Sequence, residues 1–255
     1  AIHYYERSKR LAIEVSQTSG SQTGYTSKTA TAGTQAEATA AGSNVSGGSL
    51  TGNLTITNGG GGYITNPTVT FSGGGGTGGS ATITIVNEVI TQITVSGGSG
   101  YSSAPTVSIS APEGTTYDPS TGILSAFVAG HGLSDGTLIR LEEESFAFTC
   151  STDGFSAVKK YPRNSGTGIN LGKPDYAYGK ILEADSININ RINIFIGTSS
   201  DTSVHRFVGG QSLANNIKVI GSRLDVEKAI YYGGGNDNVG VGVADPDEVV
   251  IEGKL

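Results

Sequence analysis

Asn53–Ile85 reads NLTITNGGGGYITNPTVTFSGGGGTGGSATITI. It holds ten glycines and no charged side chain. Outside the glycine runs it alternates apolar and polar residues, as a strand with one packed face does. Much of the phrase returns as ITVSGGSGYSSAPTVSIS at Ile93–Ser110. Tyr63 aligns with Tyr101 and Pro67 with Pro105, both at an offset of 38. The unit is an apolar-Thr-apolar strand, a glycine-rich turn, Gly-Tyr, three variable residues, and a Pro-Thr-Val that opens a second alternating strand, Thr68–Phe71 or Thr106–Ile109. Tyr63, Pro67, Tyr101 and Pro105 therefore mark equivalent corners of two repeated β units. Between the copies, Ala81–Val86 and Val89–Val95 flank Asn87-Glu88, which predicts a hairpin. GSQTGYTS places Tyr25 a further 38 residues upstream, in a third copy that lacks the Pro-Thr-Val strand. The glycine runs Gly59–Gly62 and Gly73–Gly76 precede no Gly-Lys-Ser/Thr and open no helix, so they do not read as phosphate loops. Tight turns at positive φ, or close approach of backbones, account for them.

Working outward, residues 116–222 carry fewer glycines. Strands are expected at Ile123–Val128, Thr137–Leu141 and Phe146–Cys150, with turns at Gly130-His131-Gly132 and Ser134-Asp135-Gly136. SININRINIFIG alternates over Ile187–Ile189 and Ile192–Ile196, and Val204–Val208 reads as another strand. No eleven-residue window shows a 3.6-residue apolar stripe, so the chain is all-β, with short strands and glycine turns. Leu11, Ile13 and Val15 alternate near the start, but residues 17–50 are mostly Ser, Thr, Gly, Ala and Gln. Such a segment cannot offset its own ordering entropy. The expected organisation is an attachment segment or linker over 1–50, a glycine-rich β module over 51–115, a sandwich-like or barrel-like module over 116–222, and a shaft-like segment over 223–255. In the last, apolar groups recur without building a core, so packing against two further copies is the expected source of stability.

The bulk composition narrows the function. Of 255 residues, 16 are Lys or Arg, and the net charge is −6. That balance disfavours nucleic acid and electrostatic docking on an acidic membrane. No apolar run is long enough to span a bilayer, residues 1–25 hold no signal-peptide core, and the chain opens on Ala1 as a processed or partial sequence would. A single cysteine, Cys150, rules out an internal disulfide framework.

Catalytic and metal signatures are absent from the spacing. His3, His131 and His205 form no HxxxH or HxH pair. His131 reads as a turn residue, His205 as a strand residue and Cys150 as a buried inert thiol. Glu142–Glu144 reads as a solvated edge or turn. GGGNDN (Gly233–Asn238) and ADPDE (Ala244–Glu248) carry oxygen ligands without EF-hand spacing. The expectation is no enzyme, no cofactor and no metal. Tyrosine, with 11 residues against 7 Phe, suits interfaces. Tyr161, Tyr176 and Tyr178 are the candidate surface-recognition aromatics.

Three phrases carry a resemblance. The Gly-Tyr-x-x-x-Pro-Thr-Val repeat resembles glycine-rich β repeats of phage tail fibres and other virion structural proteins; such repeats also occur in bacterial surface proteins. HGLSDGTLIRLEEESFAFTCSTDGFSAVKKYPR (His131–Arg163) followed by IFIGTSSDTSVHRFVGG (Ile194–Gly210) looks like a module of structural proteins in marine tailed phages, particularly cyanophages. SVHRFVGG stands there in place of a commoner Thr-His-x-Phe-Val-Ser. NVGVGVADPDEVVIEGKL (Asn238–Leu255) resembles the closing phrase of trimeric tail-fibre shafts, and GSRLDVEKAIYY resembles their shaft repeats. The resemblance implies a non-enzymatic virion protein of the tail-fibre or side-fibre type. Its implied partners are two more copies of itself in a homotrimer, other virion proteins, and a host-surface glycan or protein for attachment. A capsid decoration, head-fibre, baseplate or neck protein, and a bacterial adhesin, are the alternatives.

Overall fold

The computed structural model of the chain describes residues 26–165 and 172–222. The expected strand around Leu11, the Tyr25 copy, Gly233–Asn238, Ala244–Glu248 and the shaft-like phrases of 223–255 lie outside the described residues. Within them every extended element is a β-strand, interrupted only by single 3-10 turns.

Nine strands occupy the first half: β1 (Ser27–Lys28), β2 (Glu37–Thr39), β3 (Val45–Ser46), β4 (Ser49–Leu50), β5 (Thr55–Asn58), β6 (Val69–Ser72), β7 (Thr77–Val86), β8 (Val89–Ser99) and β9 (Thr106–Ile109). The hairpin expected at Asn87-Glu88 forms between β7 and β8. Both turn residues take positive φ, 50° and 65°, which matches the twist of the flanking strands.

The two repeat copies pair with each other. In the antiparallel β6·β9 ladder, Val69 faces Ile109, Thr70 faces Ser108 and Phe71 faces Val107. Ser108 is Thr70's own equivalent at the 38-residue offset, and the flanking pairs interchange, so the copies are related by a local twofold. Tyr63 and Tyr101 are buried at 1% and 4% exposure in the core this creates, with Leu50, Leu54, Ile90, Ile93 and Val95. Tyr63 is fully used: its hydroxyl accepts from the Ala36 amide at 2.8 Å and donates to the Ser110 carbonyl at 3.1 Å. Pro105 is buried and Pro67 half-buried.

The second half holds β10 (Thr116–Asp118), β11 (Ile123–Phe127), β12 (Thr137–Leu141), β13 (Phe146–Cys150), β14 (Lys159–Tyr161), β15 (Leu182–Asn188), β16 (Arg191–Phe195), β17 (His205–Phe207) and β18 (Ile217–Ser222). A seven-stranded sheet runs β1-β18-β12-β15-β16-β11-β10, and a three-stranded sheet runs β14-β13-β17. Both contribute to one core: Leu124, Ile139, Ile192, Ile194 and Ile217 from the first, Phe146 and Phe148 from the second. Two sheets sharing one core in this way make a sandwich-like arrangement, called the sandwich below. Ile187 and Ile189 are 54% and 60% exposed: Ile187 lies at the register shift between Ser186 and Asn188 in the β15·β16 ladder, and Ile189 stands in the turn that follows β15. Glu142–Glu144 follow the end of β12 rather than riding on a strand.

The chain divides differently from the expected boundary at residue 50. Ala30 belongs to the sandwich core and β1 to its large sheet, whereas Ala36 and Leu50 belong to the glycine-rich core. Buried Asn44 knits the intervening loop: its Oδ1 accepts from the Ala41 amide and its Nδ2 donates to the Thr51 and Asn53 carbonyls. The Ser/Thr/Ala-rich stretch is thus ordered by two neighbours at once. The halves also meet at the β7–β8 turn. Glu88 accepts from Arg191 Nε at 2.5 Å and Nη2 at 2.8 Å and from Asn188 Nδ2 at 2.9 Å, while Asn190 Nδ2 donates to the Asn87 carbonyl.

Candidate functional site

Two groups of side chains on the sandwich stand apart from packing. The first is aromatic. Tyr176 lies in the turn over residues 176–179 and is 46% exposed, and Phe195, at the end of β16, is 43% exposed. Their rings meet edge to face at 5.0 Å and 74°, within the range that aromatic pairs favour. Lys180 Nζ lies 3.4 Å from the Tyr176 ring centroid, a cation–π brace. Below the ring, Gly197 leaves room for it: a Cβ there would stand 2.5 Å from Tyr176 Cβ.

The three candidate recognition tyrosines are placed unequally. Tyr176 is the exposed one, and Tyr178 is half-buried in the same turn. Tyr161 packs on the sandwich core against Phe148, with the Arg163 guanidinium 4.3 Å over its ring, and burial raises its hydroxyl pKa above the usual value. Arg163 is itself held by Asp175 through bonds of 2.9 and 3.2 Å. Tyr161 and Pro162 line an apolar recess of about 30 Å³ with Leu124, Leu141 and Phe146. Ligand sites run to hundreds of Å³, so the recess is a packing gap. Phe195 was missed by sequence reading because alternation assigned it with its strand; its exposure follows from its place at the end of that strand.

The second group is polar. Antiparallel pairing of β13 with β17 sets Cys150 directly opposite His205, so the two side chains share one side of the sheet. Asp201 lies four residues before His205. The Cys150 thiol, an imidazole nitrogen of His205 and an Asp201 carboxylate oxygen all lie within 4.8 Å of one another, with Cys150 buried and the other two half-buried. Ser203 and Thr152 complete the cluster. Cys150 Sγ lies 2.6 Å from Ser203 Oγ and 3.4 Å from both Thr152 Oγ1 and Asp201 Oδ2. The Asp201 carboxylate also accepts from the Ser203 amide at 3.0 Å and from Thr152 Oγ1. These bonds, those from Ser203 foremost, hold the Asp201 carboxyl well below the usual carboxylate range. His205 Nδ1 lies 2.8 Å from the Ser203 carbonyl, and its ring meets Tyr117 edge-on at 5.4 Å.

Cys150, read from the sequence as a buried inert thiol, is buried, and its sulfur faces polar groups. By contrast His131, read as a turn residue, directly follows the turn at Ala129-Gly130. It is 2% exposed, with Nε2 on the Asn188 carbonyl and Nδ1 accepting from the Leu133 amide. No helix among the described residues is long and apolar enough to cross a membrane.

A scan against protein-family models finds no match, and searches of curated proteins and of solved structures find none either.

Proposed function

We propose that the chain is a non-enzymatic structural protein of a tailed-phage virion, a tail-fibre or side-fibre component that assembles as a homotrimer and attaches to a host surface. The observation that carries the attachment role is the exposed Tyr176–Phe195 pair braced by Lys180. Phe195 belongs to the phrase resembling phage structural modules, and flat aromatic faces held rigid on a β scaffold suit stacking against sugar rings or a protein surface at small entropic cost. The threefold state rests on the resemblance of residues 238–255 to fibre shafts and on the sequence of 223–255, in which no apolar group is long enough to build a core by itself.

Two measurements test the reading. Size-exclusion chromatography with light scattering is expected to give three times the 25.9 kDa chain mass, and a stable monomer would overturn the trimer. A panel of bacterial surface polysaccharides is expected to contain a binder whose retention is lost in Tyr176→Ala and Phe195→Ala with unfolding midpoints little changed. Undiminished binding by both variants would remove the aromatic pair from the proposal, and sugar release from any panel member would overturn the non-enzymatic assignment.

A further inference from the structure

We propose that Cys150, Asp201 and His205 form a binding site for a borderline-soft divalent cation, zinc being the best fit. The three offer one thiolate, one carboxylate and one imidazole, a mixed sulfur, oxygen and nitrogen set that suits zinc and is unlike the all-oxygen shells of calcium and magnesium. Their donor atoms lie within 4.8 Å of one another, so small side-chain rotations bring them to the spacing of ligands around one tetrahedral ion.

The placement is built into the fold. Cys150 and His205 are cross-strand partners, so the ladder fixes their separation independently of any loop. Each ligand also has an outer partner. The Ser203 carbonyl orients the imidazole through Nδ1, Ser203 Oγ contacts the sulfur, and the Ser203 amide and Thr152 hydroxyl orient the carboxylate. Such outer contacts are what pre-set ligand rotamers in metal sites. Binding would replace the thiol S–H by an S–metal bond and release that proton to solvent. The two negative ligands then balance the 2+ charge, and water supplies the fourth position. The half-buried Asp201 and His205 give the ion an entry, while the sulfur stays shielded from oxidants. The ion would tie the Asp201 loop to β13 and β17, bracing the sandwich in a chain without disulfides.

Cobalt(II) serves as the optical probe, titrated into the full chain freed of metal by chelation. The expected result is one equivalent bound, a thiolate-to-cobalt charge-transfer band, displacement of cobalt by zinc, and release of about one proton per ion near neutral pH. Cys150→Ser should abolish the band. Asp201→Asn and His205→Gln, whose side chains are half-buried and so better tolerated in the fold, should each weaken zinc affinity at least tenfold. Millimolar calcium or magnesium should not compete. Absence of a charge-transfer band in the wild-type chain, or zinc affinity unchanged in both Asp201→Asn and His205→Gln, would overturn the proposal.

Discussion

Tyr117 shows how one side chain couples packing to pH. Its ring packs on the sandwich core against Phe148, and its hydroxyl donates to the Gly197 carbonyl at 2.8 Å. Burial, and then the nearby Tyr161, Asp118 and Asp175, push its pKa up to about 12. Below about pH 10 the phenol is protonated whether the chain is folded or not, and its contribution to stability is fully present. Above that the unfolded chain ionises first, so stability falls as pH rises from about 10 to about 12. Tyr117→Phe removes the hydroxyl, so it should lower stability at pH 7 by about 1 kcal/mol, the usual net value of one hydrogen bond. It should also shrink the loss between pH 7 and pH 11. Urea midpoints at the two pH values check this, and an equal loss in both proteins would refute it. Tyr63 and Tyr161, also shifted upward by burial, leave a residual alkaline slope.

The repeated β unit rests on where its glycines stand relative to the tyrosine. Three residues before Tyr63 is Gly60, and three before Tyr101 is Gly98; both have positive φ. A Cβ on Gly60 would lie 2.5 Å from the Thr34 carbonyl oxygen and 2.9 Å from Tyr63 Cε2, and one on Gly98 2.6 Å from the Thr77 oxygen and 2.7 Å from Tyr101 Cε2. Gly73 shares the positive φ but has nothing within 4 Å. Gly60→Ala and Gly98→Ala should therefore each cost about 2–5 kcal/mol, backbone strain plus overpacking, and Gly73→Ala only the about 1–2 kcal/mol of backbone strain. Chemical denaturation of the three variants decides it: equal costs would mean that the tyrosines do not set the rule. The offset of 38 and the alternation made the repeat, the hairpin and most sandwich strands legible, because each is a local pattern. Three things were not legible. The start of β15, Leu-Glu-Ala-Asp, alternates with too little apolar contrast to stand out. Residues 26–50 owe their order to two cores built elsewhere in the chain. The meeting of Cys150 with His205 depends on strands 55 residues apart pairing in one register, and no spacing motif records that.

Across the molecule, the question is whether its two cores behave as one. Residues 26–50 contribute to both, with Thr31 bridging to Phe127 and Thr34 to Gly61. The stronger link is the ion pair at the β7–β8 turn, where the side chains of Arg191 and Glu88 are only 5% and 8% exposed. A buried pair of this kind contributes little net stability against an apolar substitute, yet removing one partner strands the other charge out of water. Arg191 keeps bonds to the Ser125 carbonyl and hydroxyl, but these are neutral and do not replace a carboxylate. Glu88→Gln, nearly isosteric, should therefore destabilise the fold by about 3–5 kcal/mol. If the halves are energetically one body, that loss lowers the midpoint of a single transition, with calorimetric and van't Hoff enthalpies in agreement before and after the change. Scanning calorimetry of the wild-type chain and the variant reads this directly. Two resolved transitions in the wild type, or a variant that melts with the wild type, would mean that the halves are merely tethered and that the ion pair fixes orientation without coupling their stability.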